Sequence, residues 1–419
     1  MATTAAIGQG SKLRNLSPGE VDRVVGDAIK QLEVRGKRVL TIIPDGTRTM
    51  PMPLMFELLQ RTMRDLGAAA SDYLVALGTH RAMDDTQLSK HIGKAVLNGK
   101  CGTANLANHR WDLPETFVRL GTIPTDEITR LSRGLLREEI EVRINRAIFD
   151  YDQVLICGPV FPHEVVGFSG GNKYLFPGIS GREMIDATHW LGALLCSADI
   201  IGTGYTPVRA VIDRAAEMIE VPISCFALVL DGTDVSGIFF GSAKEAWEAA
   251  SALSSEKHIM WVDRPFKRVI AVMPQMYQDM WTAAKGMYKL EPATEDGGEI
   301  IIYAPHITEF SYVHKIEIDE VGYHCRDYFL ANPKQFSHIS RGVLAHSTHL
   351  KGKGTFTSGI EMPRIRVTLA TGISEERCRR ANLEYMNPET LRIAEWMDRE
   401  HEGIKVVPRA GEALFRVRR

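Results

Sequence analysis

Three apolar runs in the first 160 residues each end in a polar, glycine-bearing segment and then give way to a helical pattern. Arg38 to Pro44 (RVLTIIP) runs into Asp45-Gly-Thr-Arg48, and amphipathic Pro53 to Leu66 follows. Tyr73 to Leu77 runs into Gly78-Thr-His-Arg81, and Asp84 to Ile92 follows. Asp152 to Pro159 feeds the stretch 163–189, HEVVGFSGGNKYLFPGISGREMIDATH, which overlaps a predicted helix from Arg182 to Cys196. Repeated strand–loop–helix units predict an α/β fold on a largely parallel sheet, with a site at the carboxyl ends of the strands.

The remaining segments extend this plan. Residues 1–15 read as a loose tail. Ser17-Pro-Gly-Glu20 has the pattern of a capping box and opens a helix to about Arg35. Asn105 to Asp112 reads as a polar loop centred on His109 and Trp111. Phe117 to Gly121 and Glu138 to Asn145 read as strands, Phe226 to Phe240 as a hairpin, and Ala243 to Leu253 as a helix. A second block begins near Arg264, with strands at Val269–Met273, Gly298–Ala304 and Val367–Ala370. Helical patterns there cover Tyr277–Tyr288, Ser374–Asn382 and Pro388–Glu400. The expectation is two α/β domains, an N-terminal catalytic and cofactor-binding domain over 1–263 and a C-terminal domain over 264–419 that completes the substrate pocket, with a cofactor and active-site cleft between them.

Composition narrows the class. A chain of 419 residues with 44% hydrophobic and 24% charged residues can bury large cores. A net charge of −2 gives no field for nucleic acid or a membrane surface. Six scattered cysteines without CxxC spacing argue against a disulfide framework or a thiolate zinc site. No signal peptide is apparent at the start, and no apolar run approaches the roughly 20 residues that span a bilayer. A cytoplasmic enzyme with reduced thiols is the simplest expectation.

The stretch 163–189 carries most of the chemistry. Gly167-Phe-Ser-Gly-Gly-Asn-Lys173 approaches a phosphate loop in length, but Tyr174 stands where a magnesium-binding hydroxyl is needed. Gly202-Thr-Gly-Tyr-Thr-Pro207 fails as a dinucleotide fingerprint at its last position. Nucleotide hydrolysis and ordinary dinucleotide binding are disfavoured, and a glycine-rich turn with a structural lysine is the plain alternative. Asp45 and Arg48 suit either an ion pair or a clamp for a carboxylate or phosphate. His80, His109, His163 and His189 all lie at or just after predicted strand ends. Singly each reads as a solvated loop histidine; together they suggest metal binding or proton transfer. No HExxH is present. Lys285, in YQDMWTAAKGMY, reads on pattern alone as a solvated helix lysine, and AHSTHLKGKG around His346, His349 and Lys351 as a basic surface loop.

Taken together, these motifs resemble the lactate racemase family, nickel-pincer-nucleotide enzymes that racemise or epimerise 2-hydroxy acids. The resemblance covers most of the chain in order: the DGTR turn, GTHR, the NHRWD loop, the glycine loop with its histidines and lysine, and the DMWTAAKG helix. It implies that Lys173 anchors the cofactor, a pyridinium thioamide and thiocarboxylic acid mononucleotide of nickel, and that His189 is the protein ligand of nickel. It makes His109 and His163 the paired acid/base residues, and Arg48 and Lys285 the cations that hold the substrate. Asp45, Thr47, Gly170 and Gly171 would lie at the nucleotide part. The implied reaction inverts C2 of a 2-hydroxy acid by hydride removal to a 2-oxo acid and return to the other face. Such an isomerase needs a small-molecule acid and the enzymes that make its cofactor. Two positions depart from the lactate-specific pattern. Thr282 stands where those members carry glutamine, and the stretch His346 to His349 falls where they carry a substrate-side tryptophan. A larger or more polar acid follows, a sugar acid such as gluconate or a malate-like diacid. A short-chain racemase, a hydroxy-acid oxidoreductase using the same site, and a non-catalytic carboxylate- or nucleotide-binding protein are the alternatives.

Overall fold

The computed structural model describes residues 6–418. The chain forms two compact units. The first comprises the described residues up to Phe161 together with Ser169–Ile185 and Arg209–Lys257; the second comprises Pro162–Phe168, Asp186–Val208 and the chain from His258. The second unit therefore begins six residues before the expected boundary, and it also takes two earlier segments that the expected division at 263 had left in the N-terminal domain.

An eight-stranded sheet organises the first unit. Its middle is parallel: Ile223–Asp231, Gln153–Pro159, Arg38–Pro44, Ala70–Ala76 and Ala104–Asn108 lie side by side in that order. Six consecutive buried residues from Val39 to Pro44 show why that strand is a continuous apolar run: both faces are covered. The helices Pro18–Gln31 and Met52–Asp65 supply Val25, Ile29, Met55 and Leu59 to the core. The capping box forms, with the Ser17 side chain accepting from Glu20 N and Glu20 Oε2 accepting from Ser17 N at 2.8 Å.

Two expectations fail in this unit. Part of the supposed N-terminal tail is an edge strand, Ile7–Gly10, paired antiparallel with Asp234–Gly241, while residues 1–5 lie outside the described residues. Gly8 and Gly10 permit that pairing, because a Cβ on either would fall within 3.0 Å of Phe239. The polar loop placed at 105–112 is instead largely the strand Ala104–Asn108, whose alternating burial betrays a half-covered strand.

The second unit holds a five-stranded parallel sheet in the order Glu384–Tyr385, Arg366–Thr371, Thr294–Ala304, Phe266–Val272 and Ile404–Val407. Ile270, Ile301, Ala370 and Val406 meet in its core. Residues 277–288 form two short helical turns, Met280–Ala283 and Lys285–Tyr288, the first capped by Asp279. The expected helix over 388–400 is only a succession of 3-10 turns. The basic surface loop at 346–351 is the end of a helix, Arg341–Lys351, buried from Gly342 onward. Among the described residues no helix is long and apolar enough to cross a membrane.

Candidate functional site

In the first unit the chemistry gathers where three adjacent parallel strands end. Arg38–Pro44 and Ala70–Ala76 are in register to their last residues, Pro44 opposite Ala76. The turns that follow them, DGTR and GTHR, are therefore neighbours. Asp45 Oδ1 accepts from Thr47 N at 3.1 Å and from Thr47 Oγ1 at 2.7 Å, an Asx turn that fixes the carboxylate. Its Oδ2 meets His80 Nδ1 at 2.5 Å. Burial alone would raise the Asp45 carboxyl, but His80, Thr47 and Arg48 hold it well below the usual carboxylate range.

The glycine loop is tied to the same strand end. Gly78 N donates to Gly178 O at 2.9 Å, and at a Gly78 φ of +57° a Cβ would meet nothing within 4 Å, so space stays open there. Further contacts hold the loop from below. Arg209, itself buried, donates to Gly170 O at 2.9 Å with its guanidinium 4.3 Å from the centre of a Trp247 ring. Asn172 Nδ2 donates to Asp213 Oδ1 at 2.9 Å. Tyr174 packs under Gly158 so tightly that a Cβ there would lie 2.0 Å from its Oη. Gly171 has φ +59° and a Cβ on it would sit 2.8 Å from Ala243 O, so this turn requires glycine. Lys173 thus stands, half-buried, on a loop that is anchored on both sides of it.

His109 directly follows the neighbouring strand, Ala104–Asn108, at the same end of the sheet, its amide donating to Val75 O at 3.1 Å. It is fully buried, Asn145 Nδ2 donates to its Nδ1 at 3.0 Å, and its Nε2 meets Ser180 O at 3.3 Å. The ring also stands edge-on to Phe117. Burial pushes its pKa down to about 4, against small opposing effects of Ser180 and Asp112. Both nitrogens are committed to protein partners, so in this conformation His109 has no nitrogen to offer a substrate hydroxyl. His80, which the sequence reading grouped with His109, His163 and His189 but gave no separate role, is the histidine that meets Asp45 at the paired strand ends. The signal was present: GTHR ends the strand that pairs with the one ending in DGTR.

The second unit gathers the other candidates. His163, on the short strand Pro162–His163, accepts the Val165 amide on Nδ1 at 3.1 Å, which leaves the ring proton on Nε2. Glu164 Oε2 lies 3.2 Å from the same nitrogen. His189 sits half-buried on the helix Arg182–Leu195. Lys285 is buried with Nζ 4.4 Å from the centre of the Tyr277 ring, rather than solvated. Thr282 Oγ1 is turned back onto Asp279, with Oδ1 at 2.9 Å. Trp281 lies between two imidazoles, His346 at 4.0 Å and His314 at 4.6 Å between ring centres. His189 bears electrostatically on both His346 and His349.

Among the described residues no three His, Cys, Asp or Glu side chains converge on a position for a metal ion. A metal whose other donors come from an organic group needs one histidine and an anchor for that group. His189 stands on the helix Arg182–Leu195 within the second unit, and Lys173 on the glycine loop of the first.

The family model for the lactate racemase N-terminal domain matches residues 22–199. The lactate racemase of Lactiplantibacillus plantarum is 24% identical over 291 residues, covering 68% of this chain and 64% of that protein. That of Thermoanaerobacterium thermosaccharolyticum is 25% identical over 280 residues, covering 64% and 60%. The matched part thus spans less than two thirds of either relative. Among solved structures, a Thermotoga maritima protein is similar at 32% identity and a TM-score of 0.89, over 98% of this chain and 100% of that one. The lactate racemase apoprotein from T. thermosaccharolyticum shares the fold, with a TM-score of 0.71 at 20% identity over 98% and 94% of the two chains.

Proposed function

The chain belongs to the lactate racemase family, and from that premise we propose that it is a racemase or epimerase inverting C2 of a 2-hydroxy acid larger or more polar than lactate. Lys173 would hold the nickel-pincer nucleotide covalently, His189 would ligate its nickel, and Asp45, Thr47, Gly170 and Gly171 would flank its nucleotide part. When bound, that group supplies an acceptor and donor of hydride.

The protein's own residues handle protons, charge and orientation. Arg48 and Lys285 are the cations for the substrate carboxylate, and holding it keeps the 2-oxo acid in place while its other face is presented. Two histidines must exchange the hydroxyl proton, one for each enantiomer. We assign these roles to His163 and to His80 rather than His109. The observation that carries this reading is the Asp45–His80 pair at 2.5 Å, fixed beside a loop that presents Lys173. In either direction one of the pair would take the hydroxyl proton and the other would return one to the product oxygen. Inversion in the reverse direction exchanges the two roles.

The enzyme would work in the cytoplasm, where it depends on the enzymes that make its cofactor. The test is incubation of single enantiomers of 2-hydroxy acids carrying deuterium at C2 with the cofactor-loaded protein. Loss of chirality with the deuterium retained at C2 is expected. Inversion with deuterium washed out to solvent would overturn hydride transfer in favour of proton abstraction. Accumulation of the 2-oxo acid without inversion would favour an oxidoreductase.

A further inference from the structure

The helix Arg341–Lys351 is capped by Ser340 and carries His346 and His349 three residues apart, hence on one face. The two side chains are more than nine-tenths buried, at 7% and 4% exposure. Neither Nε2 has a hydrogen-bond partner, and the buried Tyr323 Oη beside His346 has none either. A buried polar atom without a partner costs roughly 1–3 kcal/mol, and a native chain rarely gathers several in one place without use for them.

The rings are also held rigidly. His346 stacks on Trp281 at an interplanar angle of 24°, and Tyr323 meets its edge at 5.9 Å. His349 stands edge-on to Tyr288 at 6.4 Å. Trp281 belongs to the same short helical segment as Thr282 and precedes Lys285 by one turn, and His189 bears electrostatically on both imidazoles.

We infer that His346 and His349, with Tyr323 behind them, form a neutral hydrogen-bonding wall that reads hydroxyl groups on the substrate carbons beyond C2, so that the acid is a polyhydroxylated monocarboxylate rather than a diacid. This rests on the proposed 2-hydroxy-acid activity and narrows it. A second carboxylate would need a cation at its far end, and this wall offers none. Of the two lysines of the stretch, Lys351 spends its ammonium on Asn382 O at 2.6 Å and Lys353 on Asp199 Oδ2 at 3.2 Å. The carboxylate of Glu164 bears on His349 more strongly than His189 does, and it would repel a second anion. Apolar burial keeps both imidazoles below their ordinary protonation range. A neutral imidazole both donates and accepts, which matches a hydroxyl. Such a wall also rejects an acid of equal length that lacks the hydroxyls, since its polar atoms would then stay unpaired.

The test compares D-gluconate, 2-hydroxyhexanoate of the same chain length, and malate on the cofactor-loaded enzyme. Gluconate should exceed both others in kcat/KM by about 100-fold or more, the discrimination a hydrogen-bonding site achieves. In His346→Leu and His349→Leu the gluconate-to-hydroxyhexanoate ratio should fall by about 10-fold or more each, one lost hydrogen bond's share, and His349→Gln should restore part of it. A purely structural role would lower all three acids alike and leave the ratio unmoved, which would overturn the inference. Preference for malate or 2-hydroxyhexanoate would overturn it while leaving the racemase reading intact. Turnover of none of the acids by protein with cofactor attached would overturn both.

Discussion

The strand-end site of the first unit and the histidine wall of the second solve opposite electrostatic problems. At the strand ends the groups are charged and paired: Asp45 is held ionised by His80, Thr47 and Arg48. On the helix Arg341–Lys351 two neutral imidazoles pack against aromatic rings, His346 stacked and His349 edge-on, each with an unpaired Nε2. The first arrangement suits steps in which charge develops and must be stabilised in place. The second suits discrimination, because an unpaired buried donor or acceptor penalises any ligand that fails to complete it. His109 belongs with neither, since its two nitrogens are already satisfied within the fold.

The sharpest way to break this contrast is to exchange the fates of His80 and His109. His80→Asn should lower kcat by about 10²- to 10⁴-fold, the range of one general acid–base group, well beyond what the weakened pairing of buried Asp45 costs in stability. His109→Leu should act on stability, by roughly 1–3 kcal/mol, because Asn145 and Ser180 O lose a buried partner. Denaturant titration alongside steady-state kinetics separates the two. If His109→Leu removed turnover from a protein of normal stability, the assignment to His80 would fail.

Acid titration probes the neutral groups of both units. His109 and His349 are each pushed from an ordinary 6.5 down to about 4 by burial. Between those values the unfolded chain binds protons that the folded chain refuses, so stability is lost as the pH falls. Each contributes up to ~3 kcal/mol of that loss. The depressed carboxyl of Asp45 adds to the loss at lower pH, in the same direction. Circular dichroism between pH 7 and 4 should show falling denaturation midpoints, with a shallower slope in His349→Leu.

Smaller effects locate the supports. Gly171→Ala should cost about 1–3 kcal/mol, given its positive φ and the 2.8 Å approach to Ala243 O. It should slow cofactor attachment at Lys173, which intact-mass time courses would follow. Ser17→Ala should cost about 1 kcal/mol through the lost cap and leave kinetics alone. A kinetic change in the latter would mean that the strand-end site is not insulated from the periphery of its unit.

Much of this was legible in the sequence, and unevenly. The strands Arg38–Pro44 and Gln153–Pro159 were readable because burial on both faces leaves uninterrupted apolar runs. The capping box placed the first helix, and the DGTR and GTHR turns marked the strand ends. The edge strand Ile7–Gly10 was not readable, since its pairing depends on partners more than 220 residues away. The stretch around His346 resisted for a different reason. His, Ser, Thr and Lys look solvated in any composition-based reading, and only tertiary packing against Trp281, Tyr288 and Tyr323 shows them buried. His109 took its role from the family resemblance, and sequence order does not show that both of its nitrogens meet protein partners.

The most direct test of the whole account is the mass of the peptide that carries Lys173, isolated from protein produced together with the cofactor-making enzymes. An added mass on that peptide equal to the nucleotide moiety, absent from Lys173→Arg, is expected. An unmodified Lys173 peptide, from cells in which a known lactate racemase acquires its cofactor, would contradict it.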